Sequence, residues 1–254
     1  MPQDRRALES VRSVFFTMDG AGEMNKQRFL VTGGSQGIGA ALVELARKQG
    51  HDVVFTGRNQ ALIAKVASAT GAHGISADVS VGEDNQRAVD ACVEKMGGLD
   101  VLVNNAGFGY LGELGEIDME KMKTLFGTNV FGLVDLGNRV APLLKAQQSG
   151  AIINIASTSG IKGSKAQTAY AGSKWAVRGI TQCWQQELRP HGIRVTSICP
   201  SEVQTDWMGK TGRNNPNKLY AVDIAETIMA ALSMHSRALW VELAIFANNP
   251  WKED

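Results

Sequence analysis

Phe29-Leu30-Val31-Thr32-Gly33-Gly34-Ser35-Gln36-Gly37-Ile38-Gly39 passes from an apolar run through a glycine-rich turn into a segment with helical spacing. In that order the glycines have a mechanical task. They permit a tight turn and a close backbone approach to a pyrophosphate, which then meets the positive end of the helix dipole. The spacing is Gly-x-x-x-Gly-x-Gly, not the Gly-x-Gly-x-x-Gly of the common dinucleotide fingerprint. Gly33, Ser35, Gln36, Gly37, Ile38 and Gly39 are therefore candidate nucleotide contacts.

Outward from this turn, β-branched runs alternate with amphipathic helical runs, the pattern of a parallel sheet covered on both faces. Strands are expected at 29–32, 53–56, 74–77, 100–104, 151–156 and 194–198, with a last one between Leu239 and Phe246. Helices are expected near 38–49, 61–69, 84–96, 130–147, 171–188 and 221–234. Gly50 and Gly71 stand where a left-handed helix cap costs glycine little. In the helix over 171–188, Trp175, Ala176, Ile180, Cys183, Trp184 and Leu188 recur at three- and four-residue steps as one apolar face. Residues 206–218 hold two glycines, a proline and three asparagines without apolar period, and read as a mobile substrate loop.

Composition narrows the function classes. The chain has 254 residues, 44% of them apolar, and a formal net charge of +1. That suits one large domain and supplies neither a basic stripe for nucleic acid nor an acidic tail. No apolar run reaches the roughly 18 to 20 residues of a membrane span. Cys92, Cys183 and Cys199 are odd in number and far apart, and read as small buried thiols of a reducing compartment, so a cytoplasmic protein is expected. The four histidines form no metal-ligand spacing, so no metal is expected. Residues 1–24 carry arginines and a short apolar stretch unlike a secretory signal, and read as a peripheral extension to a single domain over 25–254.

The second strand bears on nucleotide choice. NAD-preferring enzymes place Asp or Glu at its end to accept from the ribose hydroxyls. Here the chain reads Val53-Val54-Phe55-Thr56-Gly57-Arg58-Asn59, with no carboxylate to repel a phosphate and a planar guanidinium suited to one. NADP(H) is therefore expected over NAD(H). Asp78-Val79 and Asn104-Asn105-Ala106-Gly107 follow the third and fourth strands, at carboxyl ends where open α/β sheets bind ligands.

Tyr170 and Lys174 lie one helical turn apart on one face. A phenol with a pKa near 10 is a poor base at neutral pH, and an adjacent ammonium favours its phenolate. Ser157 ends the strand over 151–156, where its hydroxyl can hydrogen-bond a substrate carbonyl. Asn129 opens the helix over 130–147 as read from the sequence.

The ordered set Thr32-Gly33-x-x-x-Gly37-x-Gly39, Asn104-Asn105-Ala106-Gly107, Asn129, Ser157 and Tyr170-x-x-x-Lys174 resembles the short-chain dehydrogenase/reductase superfamily, from about Asn25 to the last strand. The resemblance implies a Rossmann-like, doubly wound α/β fold, with seven parallel strands in a three-layer sandwich. It implies a tetrad in which Tyr170 exchanges a proton with the carbonyl oxygen and Lys174 also holds the nicotinamide ribose. Ser157 orients the carbonyl, and Asn129 steadies a water that relays protons. Ile38, Asn105, Ala106 and Gly107 would contact the cofactor, Asp78 and Val79 would flank its adenine, and Pro200, Val203 and Thr205 would grip the nicotinamide amide. Two departures stand out: Ser201 follows Pro200 where the family often has glycine, and Gln36 stands where it often has a basic residue. The second leaves Arg58, Asn59 and Ser35 to meet a 2′-phosphate.

Phe108, Tyr110, Trp207 and Met208 are candidates for the substrate wall, an apolar lining suited to a ketone or aldehyde with a hydrophobic substituent. A 3-oxoacyl thioester, a steroid, a polyol and a xenobiotic carbonyl all stay open. The family resemblance further implies a homodimer or homotetramer joined through the helices over 130–147 and 171–188. Two rival readings are a nucleotide-sugar epimerase or dehydratase and a non-catalytic NADP(H)-binding sensor or scaffold. Relatives of the first kind usually run longer after the position of Pro200, and those of the second commonly lack the tyrosine or the lysine.

Overall fold

The strands of this chain are apolar on both sides, and their alternation sends successive residues into two separate cores. Phe29 and Val31 pack with Phe55, Val101 and Val103 on one face, and Leu30 packs with Val54, Leu102 and Ile152 on the other. In the computed structural model, which describes residues 26–205, 215 and 217–249, these strands form one parallel sheet. They are β1 (Arg28–Val31), β2 (Asp52–Gly57), β3 (His73–Ser76), β4 (Val101–Asn104), β5 (Gly150–Ile155), β6 (Ile193–Pro200) and, at the far edge, Glu242–Ile245. The order is β3-β2-β1-β4-β5-β6 followed by that edge strand. The strand order reverses between β1 and β4, and that switch creates the crevice where doubly wound sheets take their ligands.

Helices α1 (Gly37–Lys48) and α2 (Gln60–Thr70) cover one face, and α3 (Gly82–Met96) covers the other. Gly50 and Gly71 adopt positive φ as expected. The region before β5 departs from expectation. A helix, α4, begins at Met119, capped by Asp118, whose carboxylate accepts from the N–H groups of Glu120 and Lys121 at 3.0 and 3.2 Å. It continues through a π-helical segment, Gly127–Gly132, into α5 (Leu133–Gln147). Asn129 therefore does not open a helix; it lies inside a widened turn of one. Gly127 has ordinary right-handed geometry.

The face of α6 (Thr168–Leu188) is a second correction. Its buried residues are Ala169, Ala171, Ser173, Lys174, Val177, Thr181, Gln185 and Leu188, while Trp175 is half exposed and Cys183 lies on the surface. The polar members are paid for by partners. Asn104 donates to Asn154, Asn154 to Thr181 and Thr181 to the Val177 carbonyl, at 2.9, 2.9 and 2.7 Å. Gln185 donates to the carbonyls of Val195 and Val241 at 3.0 and 2.9 Å. A helix whose inner face is this polar can lie on a sheet only in the register that satisfies every group.

Past β6, β7 (Val203–Gln204) pairs in parallel with β8 (Leu219–Tyr220) ahead of α7 (Ala221–Ser233) and the edge strand, now β9. The expected extension over 1–24 and most of the loop over 206–218, with Trp207 and Met208, lie outside the described residues. Among the described residues, no helix is long and apolar enough to cross a membrane, and no cluster of His, Cys, Asp and Glu is placed to hold a metal.

The buried Asn104–Asn154–Thr181 chain is open to measurement. Asn154→Ala strands the buried Asn104 amide, leaves Thr181 only its bond to Val177, and should cost about 2–4 kcal/mol. A urea midpoint that falls accordingly with an unchanged m-value would bear this out; a loss below about 0.5 kcal/mol would not.

Candidate active site

The glycine turn is built by steric exclusion. Gly33 and Gly37 have φ of +63° and +55°, a region side chains rarely occupy. A Cβ on Gly39 would fall 2.3 Å from the Gly33 carbonyl oxygen, so only glycine lets α1 start this close to β1. Thr32 braces the turn by accepting from the N–H groups of Asn105 and Ala106, both at 3.0 Å. The Asn105 amide donates to the carbonyls of Thr32 and Gly33 at 2.9 and 3.2 Å. Its NH2 group is thus engaged in holding the turn. The first turn of α1 has no acidic residue and no side-chain cap, so its N–H groups suit an anion.

Around the turn, the candidate residues converge. Thr205 lies beside Gly37, where an added Cβ would meet its methyl at 3.4 Å. Ser35 packs on Gly57 at the end of β2, and the exposed Arg58 follows. Asn59 caps α2, its side-chain oxygen accepting from the N–H groups of Ala61 and Leu62 at 3.0 and 3.1 Å. That leaves only its NH2 group to donate to a phosphate. Arg58 is not free of carboxylates either: although β2 carries none at its end, Asp78 lies 3.7 Å away. Burial works against the Asp78 charge, but bonds from Ser80 and the nearby Arg58 outweigh it and hold the carboxyl below its usual range. Val79 is buried, and its carbonyl accepts from Asn85 at 2.9 Å.

The titratable groups meet at the carboxyl ends of β4 and β5. Lys174 is 4% exposed, and its ammonium donates to the Ile155 carbonyl at 2.9 Å, lying 5.8 Å from the centre of the Tyr170 ring. Burial lowers its pKa to about 8. Tyr170 differs from the sequence expectation. Burial pushes its phenol up, and the opposing influence is a hydrogen bond with Ser157 rather than the lysine charge. Ser157 also caps the 3-10 turn Thr158–Gly160, its hydroxyl accepting from the Ser159 N–H at 3.1 Å.

Asn129 is 2% exposed and its side chain is heavily engaged. It accepts from the Phe108 N–H and donates to the Phe108 carbonyl, both at 3.0 Å, and donates to the Ser173 hydroxyl at 3.1 Å. Both donors and one acceptor site are thus occupied, so the side chain supports Phe108 and α6 and is poorly placed to carry protons. Ser173 in turn donates to the Tyr170 carbonyl at 2.7 Å. The sequence reading passed over Ser173, whose position inside the Tyr170–Lys174 interval was the available signal. Gly107 sits where a Cβ would lie 3.0 Å from the Asn129 side-chain oxygen and 3.6 Å from the Lys174 nitrogen.

Of the substrate-wall candidates, Phe108 is half-buried beside Asn129, and Tyr110 accepts at its hydroxyl from the Asp118 N–H at 2.8 Å. Pro200 is buried at the end of β6, and Ser201 donates from its N–H to the Ile245 carbonyl at 2.8 Å.

A family model described as short chain dehydrogenase matches residues 27–216. An uncharacterized oxidoreductase from Staphylococcus saprophyticus is 38% identical over 220 residues, covering 84% of this chain and 94% of its own. A serine dehydrogenase solved with NADP+ superposes with a TM-score of 0.81 at 26% identity, over 86% of this chain and 94% of its own. A 3-ketoacyl-(acyl-carrier-protein) reductase from Brucella melitensis solved with NADH gives 0.81 at 27% identity, over 90% of this chain and all of its own.

The burial of Lys174 has a thermodynamic signature. Its folded pKa, about 8, lies below the 10.5 of a free lysine. Between those values the unfolded chain holds the proton more tightly, so this group's contribution to stability rises with pH. Below about pH 8 the native state bears the whole cost, roughly 3–3.5 kcal/mol. Lys174→Met should therefore raise Tm by a few degrees near neutral pH and by less toward pH 10, while ending turnover. A calorimetric Tm that drops, or a gain equal at both pH values, would refute this account.

Proposed function

The chain belongs to the short-chain dehydrogenase family, and from that membership we propose that it interconverts a ketone or aldehyde and its alcohol using NADP(H). The hydrogen bond between Ser157 and Tyr170, with the Lys174 ammonium beside the same ring, carries this reading. When bound, the nicotinamide supplies or accepts the hydride. Tyr170 gives its phenolic proton to the carbonyl oxygen during reduction and takes it back during oxidation. Ser157 donates to the same oxygen and stabilises the charge that develops there. Lys174 holds a positive charge next to the phenolate and reaches a ribose hydroxyl. Asn129 serves by fixing Phe108 and the Ser173 bridge to Tyr170; any relay water would use its backbone.

The glycine turn over 33–39, together with Ala106 and Gly107, would receive the pyrophosphate and the adjoining ribose. Asp78 and Val79 would border the adenine, and Pro200, Val203 and Thr205 the nicotinamide amide. The preference for NADP(H) rests on Arg58, 70% exposed at the end of β2, with Ser35 and the Asn59 amide near it. A 2′-phosphate must draw Arg58 away from Asp78, and a dianion outcompetes one carboxylate at 3.7 Å. The substrate would be an apolar carbonyl compound held between the Ser157–Tyr170 edge, Phe108 and the loop over 206–218. We assign residues 1–24 to a peripheral extension and the whole protein to the cytoplasm, which suits three free thiols.

Phe131 and Trp175, 65% and 51% exposed, lie on the π-helical segment and α6, which pack on each other. Large apolar surface there supports a homodimer or homotetramer.

Wild type should oxidise NADPH against a panel of apolar carbonyls, and Tyr170→Phe should lose at least a thousandfold in kcat. Arg58→Ala should raise KM for NADPH about tenfold or more and leave that for NADH nearly unchanged. A lower KM for NADH than for NADPH in wild type would overturn the nucleotide assignment. Light scattering should give a mass of two or four chains, and a monomer would end the assembly proposal.

A further inference from the structure

The turn that carries Ser157 is fastened from outside. Gly160, which closes it, donates from its N–H to the Ser157 carbonyl at 2.9 Å. Gly160 also sits directly on the catalytic helix, where an added Cβ would lie 2.7 Å from the Lys174 carbonyl oxygen. Its own carbonyl accepts from Arg178. Arg178 is one helical turn beyond Lys174 on the same face of α6. Its Nε and its other terminal nitrogen form a bidentate pair with Glu242 of β9, at 2.6 and 2.8 Å. The Trp175 ring lies 5.2 Å from the guanidinium carbon. The planar fork is thereby fixed at its edges by a carboxylate and a carbonyl and covered by an indole. The pair is largely buried, with side chains 15% and 28% exposed. Neither residue belongs to the catalytic set above.

We propose that Arg178 and Glu242 are a positioning pair, which locks the Ser157 turn in register with Tyr170 and Lys174 through the Gly160 carbonyl. The proposal rests on the assignment of those three residues as the catalytic set. The geometry favours this over a plain surface brace. A two-point carboxylate contact fixes the orientation of the guanidinium, and its third nitrogen donates to the residue that closes the Ser157 turn and packs on the lysine backbone. A lysine at 178 could reach Glu242 or Gly160 but could not hold a planar fork between them.

Displacing a catalytic group by about 1 Å costs up to a hundredfold in rate. Arg178→Met and Glu242→Gln should each lower kcat roughly ten- to hundredfold while leaving KM for NADPH within about twofold. Arg178→Lys should recover part of the loss. An independent readout needs no turnover. The chain has three tyrosines, so isotope-labelled tyrosine Cζ resonances are assignable with Tyr170→Phe. At neutral pH the Tyr170 resonance of both variants should move toward its position in Ser157→Ala, with Tyr110 and Tyr220 unmoved. If Arg178→Met fails to fold by circular dichroism, Glu242→Gln decides alone. Coincidence of the Tyr170 resonance with wild type in the folded variants would overturn the positioning role. Absence of turnover in wild type would instead sink the hydride-transfer reading, and the resonance comparison would still decide the positioning role.

Discussion

An ammonium held almost wholly out of water at the carboxyl end of a parallel sheet sets the terms for everything around it. Charge in such a place is tolerated only where donors find acceptors, and Lys174 finds the Ile155 carbonyl. The groups that crowd it are small for the same reason. Gly160 packs on the Lys174 backbone at a distance that any side chain would block, and an added Cβ at Gly107 would crowd the Asn129 oxygen. The result is a lysine that the native state carries at a cost, as functional sites commonly do.

The helix that bears Tyr170 and Lys174 must be placed to a fraction of an ångström, and apolar packing alone does this poorly. Hydrophobic contact is non-directional, so a helix can slide or roll on a greasy sheet at small cost. This chain instead uses directional bonds. Thr181 meets Asn154, Gln185 meets two strand carbonyls, and Ser173 meets Asn129, so one helix is pinned to β5, β6, the residue before β9 and the π-helical turn. Buried amides and hydroxyls sacrifice some stability for a unique register.

Features dictated by backbone sterics were legible in the sequence. The glycine turn and the seven-stranded parallel sheet match expectation, and the structure brings Ser157, Tyr170 and Lys174 together. Features set by partners distant in sequence were not. Nothing near Arg58 announces Asp78, and nothing near Arg178 announces Glu242, which is 64 residues away. The apolar spacing of α6 pointed to Trp175 and Cys183 as buried, because periodicity weighs hydrophobicity and cannot see that Thr181 and Gln185 have bonding partners inside. Asn129 reads as a helix start from spacing alone, which carries no sign of the π-helical turn. That turn, which begins at Gly127, carries the asparagine side chain to Phe108.

The two-residue pairing of β7 with β8 has an evolutionary consequence. It ties together both ends of the segment between Gln204 and Leu219, so the base of that segment belongs to the scaffold. Doubling the length of a segment closed at its base costs only about 0.6 kcal/mol in closure entropy. Its sequence and length are therefore nearly decoupled from the sheet and from the buried lysine at the end of β5. A lineage could rewrite the segment with no renegotiation of that lysine.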